Sequence, residues 1–139
     1  MDTDKKTLCE VNLKVPFHDL DPLQMVWHGN YLKYFDIARS ALFIQAGIDL
    51  FDYFKQTNYL FPITKTTTKY ITPLRYLDEF KSIATVVEAH YKIVIDFQIR
   101  LNSNNQICAK GRSEQVAVKY PEMEIMFEIP EDIRNALGY

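Results

Sequence analysis

The segment that decides the fold spans residues 19–31 and reads DLDPLQMVWHGNY. It carries the carboxylate of Asp21 and the imidazole of His28 just ahead of a predicted amphipathic helix. The proline after Asp21 favours extended backbone at Asp21, whereas Gly29 and Asn30 are residues that commonly begin a helix. The first backbone N–H groups of a helix have no partner inside it. The segment therefore predicts a carboxylate beside donors that could stabilise a negative oxygen.

One long helix follows this segment. Hydrophobic residues recur at intervals of three and four positions, which is typical of one buried helical face; they are Tyr31, Phe35, Ala38, Leu42 and Ala46. The pattern predicts a helix over residues 30–46 of about 25 Å at 1.5 Å per residue. Gly47 is a suitable left-handed stop.

The rest of the chain is rich in strand patterns. Apolar and polar residues alternate over 11–17 and again over 93–101, which is typical of half-buried strands. Branched and aromatic residues predict further strands over 63–71, 83–91 and 107–118. Consecutive strands without intervening helices indicate an antiparallel sheet and an α+β fold. Residues 49–59 are predicted to form a short helix or ordered loop.

Length and composition place the chain among compact globular domains. The 139 residues, of which 47% are hydrophobic, predict one domain over 1–139. Within it, residues 130–139 form a peripheral tail that either adds a helical turn or frays.

The charge and cysteine content exclude several classes of partner. A formal charge of −2 gives no field that would attract nucleic acid. The cysteines at 9 and 108 are isolated, and the start of the chain resembles no secretory signal, so we expect a cytoplasmic protein with reduced thiols. No apolar run approaches the roughly 18 residues of a membrane span.

Each candidate residue also has a structural interpretation. Asp21 could cap a turn, or it could act as a nucleophile or general base if part of its loop is buried. His28 could be structural, or its backbone N–H at the helix entrance could polarise a carbonyl. A metal site built from His18, Asp19, Asp21 and His28 is disfavoured, because the His18 and Asp19 side chains would project to opposite faces of a continued strand. The chain has no GxSxG motif and no glycine-rich phosphate loop.

Two stretches carry a resemblance to a known family: residues 19–22, Asp-Leu-Asp-Pro, and residues 26–31, Val-Trp-His-Gly-Asn-Tyr. With the helix that continues to Ala38-Arg39, they resemble the hotdog-fold 4-hydroxybenzoyl-CoA thioesterase-like family. Weaker similarity extends over roughly residues 11–118. The resemblance implies a long helix wrapped by a five- to six-stranded antiparallel sheet.

The resemblance also implies a function and a set of site residues. The expected reaction is hydrolysis of an acyl thioester of CoA or acyl carrier protein, without a cofactor or metal. Asp21 matches the catalytic carboxylate, and His28 matches the residue whose backbone N–H binds the thioester oxygen. We expect Trp27, Asn30 and Tyr31 to bind substrate. The expected assembly is a homodimer with acyl-CoA at the subunit interface, and a dimer of such dimers.

Two alternatives and two departures accompany this hypothesis. A hotdog domain can hold acyl-CoA without catalysis, or it can act as a hydratase or dehydratase. Gln24 stands where many members have glycine, which leaves the loop geometry open. Phe17 stands where one bacterial branch has a tyrosine proposed to assist catalysis, so that hydroxyl is missing here.

Overall fold

A five-stranded antiparallel sheet and one long helix form the body of the protein in a computed structural model, which describes residues 7–139. The strands and helices, in chain order, are β1 (Leu8–Lys14), α1 (Asn30–Gln45), α2 (Leu50–Thr57), β2 (Tyr59–Leu60), β3 (Ile63–Tyr70), β4 (Glu79–Glu88), β5 (Ile93–Leu101), β6 (Ile107–Gln115), β7 (Val118–Lys119), β8 (Glu124–Ile125) and α3 (Glu131–Ala136). The main sheet has the order β1-β4-β5-β6-β3, and β2, β7 and β8 form a small second sheet. The predicted α+β class is confirmed.

Helix α1 packs its predicted apolar face on the sheet, mainly over β1 and β4. Ala38 and Leu42 are fully buried, and the small side chain of Ala38 permits a close approach of helix and strands. The helix ends at Gln45, and Gly47 adopts a left-handed φ of +83°. Both the predicted helix and its glycine stop are therefore confirmed.

The sheet brings the inner faces of β5, β6 and β3 together beneath the first half of α1. Phe97, Gly111 and Thr68 are register partners across these strands and share one face. Phe35 of α1 stacks on Phe97 with ring centroids 4.8 Å apart. A Cβ added to Gly111 would lie 2.5 Å from the Phe35 ring. The glycine thus lets the helix settle onto the sheet.

Strand boundaries differ from the predictions in three places. β1 spans Leu8–Lys14 instead of 11–17, because Phe17–Asp19 forms a short 3-10 helix after Pro16. β4 begins and ends earlier than predicted, spanning Glu79–Glu88 instead of 83–91. The strand predicted over 107–118 is interrupted, since β6 ends at Gln115 and Val118–Lys119 joins the second sheet. The alternating pattern continues past the ends of β1 and β6, so alternation alone does not predict where these strands end.

The C-terminal segment was expected to be peripheral, and the structure places part of it in the core. α3 forms there, and Ile133 and Leu137 are buried with the residues of the main core. The Thr7 hydroxyl also donates a hydrogen bond to the Leu137 carbonyl at 2.8 Å.

Among residues 7–139, none of the helices combines the length and hydropathy that a bilayer span requires.

Candidate active site

The segment from Asp19 to His28 forms a narrow loop that doubles back on itself before α1. The Asp21 N–H donates to the Met25 carbonyl at 2.9 Å, and Leu20 pairs with Val26 as an isolated antiparallel bridge. At the base of the loop, the Trp27 N–H donates to the Asp19 carbonyl at 3.0 Å. Backbone pairing therefore holds the two arms of the loop together.

Asp21 lies near the tip of this loop and is half-buried. Its Oδ1 accepts a hydrogen bond from the Leu23 N–H at 2.9 Å, which closes a local turn. Within residues 7–139, Oδ2 accepts no hydrogen bond from another residue. One oxygen thus caps the turn while the other is free to act, so the two interpretations of Asp21 are compatible.

His28 lies where the loop enters α1. Its N–H donates to no acceptor within the described part of the chain, while its carbonyl accepts from the Tyr70 hydroxyl at 3.2 Å. The imidazole is exposed and meets the Tyr70 ring edge-on at 6.2 Å. The backbone N–H is therefore a free donor next to the positive end of the helix dipole.

A pocket of about 300 Å³ opens beside His28. Its wall is mainly apolar and aromatic, and it is formed by Met25, Val26, His28, Tyr31, Tyr70, Ile71, Thr72 and Pro73. Asp21 does not line this pocket. Within the chain, the structure therefore places His28 at the pocket and the Asp21 carboxylate on the adjacent loop.

The three predicted substrate-binding residues have different environments. Tyr31 is buried and lines the pocket, and its hydroxyl accepts a hydrogen bond from the Leu74 N–H at 3.3 Å. Trp27 is half-exposed, and its ring lies over Gly29, where a Cβ would come within 2.2 Å of it. The Asn30 amide donates to the Asp19 carbonyl at 2.9 Å. The Asn30 side chain therefore joins the start of α1 to the base of the loop.

Asp19 is the buried carboxylate of the region, with 3% of its surface exposed. Its Oδ1 lies 2.6 Å from the Lys33 Nζ, and its Oδ2 accepts from the Tyr34 hydroxyl at 2.6 Å. Burial acts to raise the pKa of Asp19, but the hydrogen bonds from Lys33 and Tyr34 and the positive charge of Lys33 outweigh it, so the pKa is lowered. Burial and the hydrogen bond to Asp19 raise the pKa of Tyr34.

Sequence reasoning considered Asp19 only as a metal ligand and missed Lys33 and Tyr34. A signal was present, because Tyr34 adjoins the apolar face of α1, and a buried tyrosine hydroxyl usually needs a partner. His18 is exposed and lies 3.8 Å from the Asp19 carboxylate. Among residues 7–139, no group of three potential metal ligands is close enough to hold an ion.

The two departures from the family pattern have clear structural counterparts. Gln24 adopts a left-handed φ of 62°, a conformation in which glycine is less strained than other residues. Phe17 is exposed and packs edge-on against Tyr76 with ring centroids 5.8 Å apart. The loop thus keeps the turn that a glycine would favour, and position 17 supplies an apolar surface contact.

Comparison with known proteins identifies the class. Residues 15–137 match the family model of the thioesterase-like superfamily. The chain belongs to this superfamily, and the resemblance found in the sequence is confirmed.

Similar proteins of known structure share the fold over nearly the whole chain. A 4-hydroxybenzoyl-CoA thioesterase variant bound to 4-hydroxybenzoyl-CoA has a TM-score of 0.86 at 16% identity, with 95% of this chain and 99% of that chain covered. A 1,4-dihydroxy-2-naphthoyl-CoA thioesterase from Synechocystis has a TM-score of 0.83 at 17% identity, over 94% of this chain and 95% of that one. The predicted hotdog fold is thus confirmed.

A relative from Bacillus subtilis, YneP, bears the provisional name of an acyl-CoA thioesterase. It is 26% identical over 108 residues, which cover 76% of this chain and 76% of that protein.

Proposed function

We propose that the protein hydrolyses acyl-CoA thioesters, releasing a carboxylic acid and a thiol. The observation that carries this proposal is the backbone N–H of His28, unpaired within residues 7–139 and just before α1, on a residue that lines an apolar pocket next to the Asp21 loop. Membership of the thioesterase-like superfamily and the CoA thioesters named for its structural relatives support the same reaction. The reaction consumes only the thioester and water.

The His28 N–H would stabilise the negative charge that develops on the thioester oxygen. A backbone donor at a helix start is fixed before the reaction and needs no reorganisation, which is what makes oxyanion stabilisation effective. One such donor is worth about 3 kcal/mol in hydrolases. Because the donor is the backbone, replacement of the exposed imidazole leaves it in place.

Asp21 would attack the thioester carbonyl or activate the water that does so. Its free Oδ2 is the atom for either role, while Oδ1 remains engaged in the turn with Leu23. A positioned base contributes about 10²- to 10⁴-fold to the rate. Asparagine at position 21 would keep the turn acceptor and remove the charge, so this substitution isolates the chemical role.

The substrate would enter the pocket beside His28 with its acyl group against Tyr31 and Tyr70. The wall is mainly apolar, and this matches an acyl group better than a charged one. Trp27 would contact the substrate at the rim. Both CoA and acyl carrier protein present the same thioester on a phosphopantetheine arm, and a comparison of one acyl group on the two carriers decides between them.

We propose further that a homodimer completes the site. β3 is the edge strand next to the pocket, and its outer edge has no strand partner within the described residues. Eight residues of open edge favour pairing with another strand. Pairing of β3 with its copy would continue the sheet and place partner residues near Tyr70, at the end of the strand. Pairs of such dimers would form the expected dimer of dimers.

Thiol release from a panel of acyl-CoAs tests the function. We expect turnover with at least one acyl group, and Asp21→Asn should lower kcat at least about 100-fold. His28→Ala should retain kcat within about tenfold because the backbone donor remains. Asp52→Asn, on the exposed first turn of α2, is the matched control and should leave turnover unchanged.

Other outcomes point to the alternative functions. If Asp21→Asn hydrolyses thioesters at the wild-type rate, the catalytic assignment is wrong. Acyl-CoA binding without thiol release would indicate a binding domain. Loss or gain of an acyl double bond without thiol release would indicate a hydratase or dehydratase.

A further inference from the structure

We infer that Asp19 is a positioning residue: its buried carboxylate, held by Lys33 and Tyr34 of α1, fixes the loop that carries Asp21 and His28. This inference rests on the proposed function and adds a residue to its machinery. The contacts of Asp19, its burial and its place in the loop carry the argument.

The carboxylate of Asp19 joins the loop to the helix. Both oxygens are engaged at 2.6 Å, one by the Lys33 Nζ and one by the Tyr34 hydroxyl. These donors project from successive positions of α1, one turn after its start. Two short hydrogen bonds to separate oxygens fix the orientation of the carboxylate as well as its position.

The main chain of Asp19 joins the two arms of the loop. Its carbonyl accepts from the Trp27 N–H at 3.0 Å and from the Asn30 amide at 2.9 Å. Four donors from four residues therefore converge on one residue. Three of the four lie on α1, and the fourth belongs to the residue just before His28.

The proposed reacting groups are close to this junction along the chain. Asp21 lies two residues after Asp19, and His28 directly follows Trp27. The tip between them, residues 22–24, is exposed and has little packing of its own. The relative placement of the carboxylate and the oxyanion donor is thus set mainly at the base of the loop, where Asp19 lies.

Stability alone explains the buried charge poorly. Removing the Asp19 carboxylate from water costs free energy that offsets much of its attraction to the half-exposed Lys33 ammonium group, so apolar residues often serve as well for stability. Hydrogen bonds to a charged carboxylate do, however, fix the orientation of the loop that carries it. Misplacement of a reacting group by 1 Å can cost about 100-fold in rate. We therefore expect loss of the anchor to lower kcat by more than a decrease in the fraction of folded protein would explain.

Steady-state kinetics on the intact protein tests this inference with the acyl-CoA that gives the highest turnover. Asp19→Asn leaves one acceptor for two donors and removes the charge. We expect kcat to fall at least about tenfold with KM within about threefold of wild type. Lys33→Met should lower kcat in the same way, whereas Lys33→Arg, which keeps the charge, should restore it to within about threefold of wild type.

Ser82→Ala is the matched control for stability. The Ser82 hydroxyl is buried and donates to the Tyr34 carbonyl at 2.8 Å, so its loss weakens the same helix without contact to the loop. We expect it to lower Tm and leave kcat unchanged. If Ser82→Ala lowers kcat as much as Asp19→Asn does, Asp19 is merely structural and the inference is overturned.

A double variant separates this inference from the proposed function. If Asp19 acts by placing Asp21 relative to the His28 N–H, then Asp19→Asn should lower the residual rate of Asp21→Asn by a clearly smaller factor than it lowers the wild-type rate. Full additivity would overturn the inference, as would a kcat for Asp19→Asn within about twofold of wild type. If Asp19→Asn does not fold, Lys33→Met serves as the deciding variant, because the Lys33 side chain is half-exposed and its replacement leaves the core intact. Wild-type activity of Asp21→Asn would instead overturn the proposed function.

Discussion

Replacement of Gly111 by alanine should destabilise the protein through the contact between α1 and the sheet. An alanine Cβ would lie 2.5 Å from Cε2 and 2.9 Å from Cζ of Phe35. Ordinary carbon–carbon contacts are about 3.5–4.0 Å, so the ring would have to move by about 1 Å. The ring is 3% exposed and already stacked on Phe97, which leaves it little room.

The magnitude follows from two opposing effects. Overpacking of a well-packed core costs about 1–3 kcal/mol. Replacement of glycine in a strand interior regains about 0.5–1 kcal/mol. Together these effects leave a net cost of about 0–2.5 kcal/mol. Because the Phe35 ring has little room to move, we expect the free energy of unfolding to fall by about 1–2 kcal/mol for Gly111→Ala. For a chain of this length, that corresponds to a Tm lower by about 3–8 °C.

Urea unfolding, followed by circular dichroism and by the fluorescence of Trp27, measures this effect. The midpoint should fall while the m-value stays unchanged. In a Phe35→Leu background the added cost of Gly111→Ala should be smaller, because the obstructing ring is gone. A midpoint for Gly111→Ala equal to or above that of wild type would refute the packing argument.

Two further predictions concern the loop before α1. Gln24→Gly should leave the free energy of unfolding within about 1 kcal/mol of wild type, because relief of the left-handed strain offsets the added freedom of the unfolded chain. Gln24→Val should be clearly less stable than Gln24→Gly. Equal urea midpoints for the two variants would contradict the left-handed conformation at position 24. The pKa of Asp19 is lowered in the folded protein, so the contacts of its ionised carboxylate stabilise the fold at any pH above the ordinary carboxyl pKa near 3.9. This stabilisation is lost as the pH falls through the lowered pKa. The stability difference between wild type and Asp19→Asn should therefore be largest near neutral pH and shrink on acidification, which urea unfolding across pH 3–7 measures; a constant difference would be the opposing result.

Local features of the fold were predictable because local residues set them. The apolar residues from Tyr31 to Leu42 recur at the helical period, and the long helix forms there. Alternation over 93–101 likewise predicts β5 with the correct bounds. The breaks near Pro16 and Gln115 were missed, since they depend on how the chain leaves the sheet rather than on periodicity.

The sequence by itself determined the helix, most of the strands and the loop that holds Asp21 and His28. Only the tertiary structure decided that Asp19 is the buried carboxylate and that Asp21 keeps one free oxygen outside the pocket. The physical reason is that the environment of a carboxylate depends on its donors. Those of Asp19 come from Lys33 and Tyr34, which lie 14 and 15 residues away and reach it only when α1 packs beside the loop.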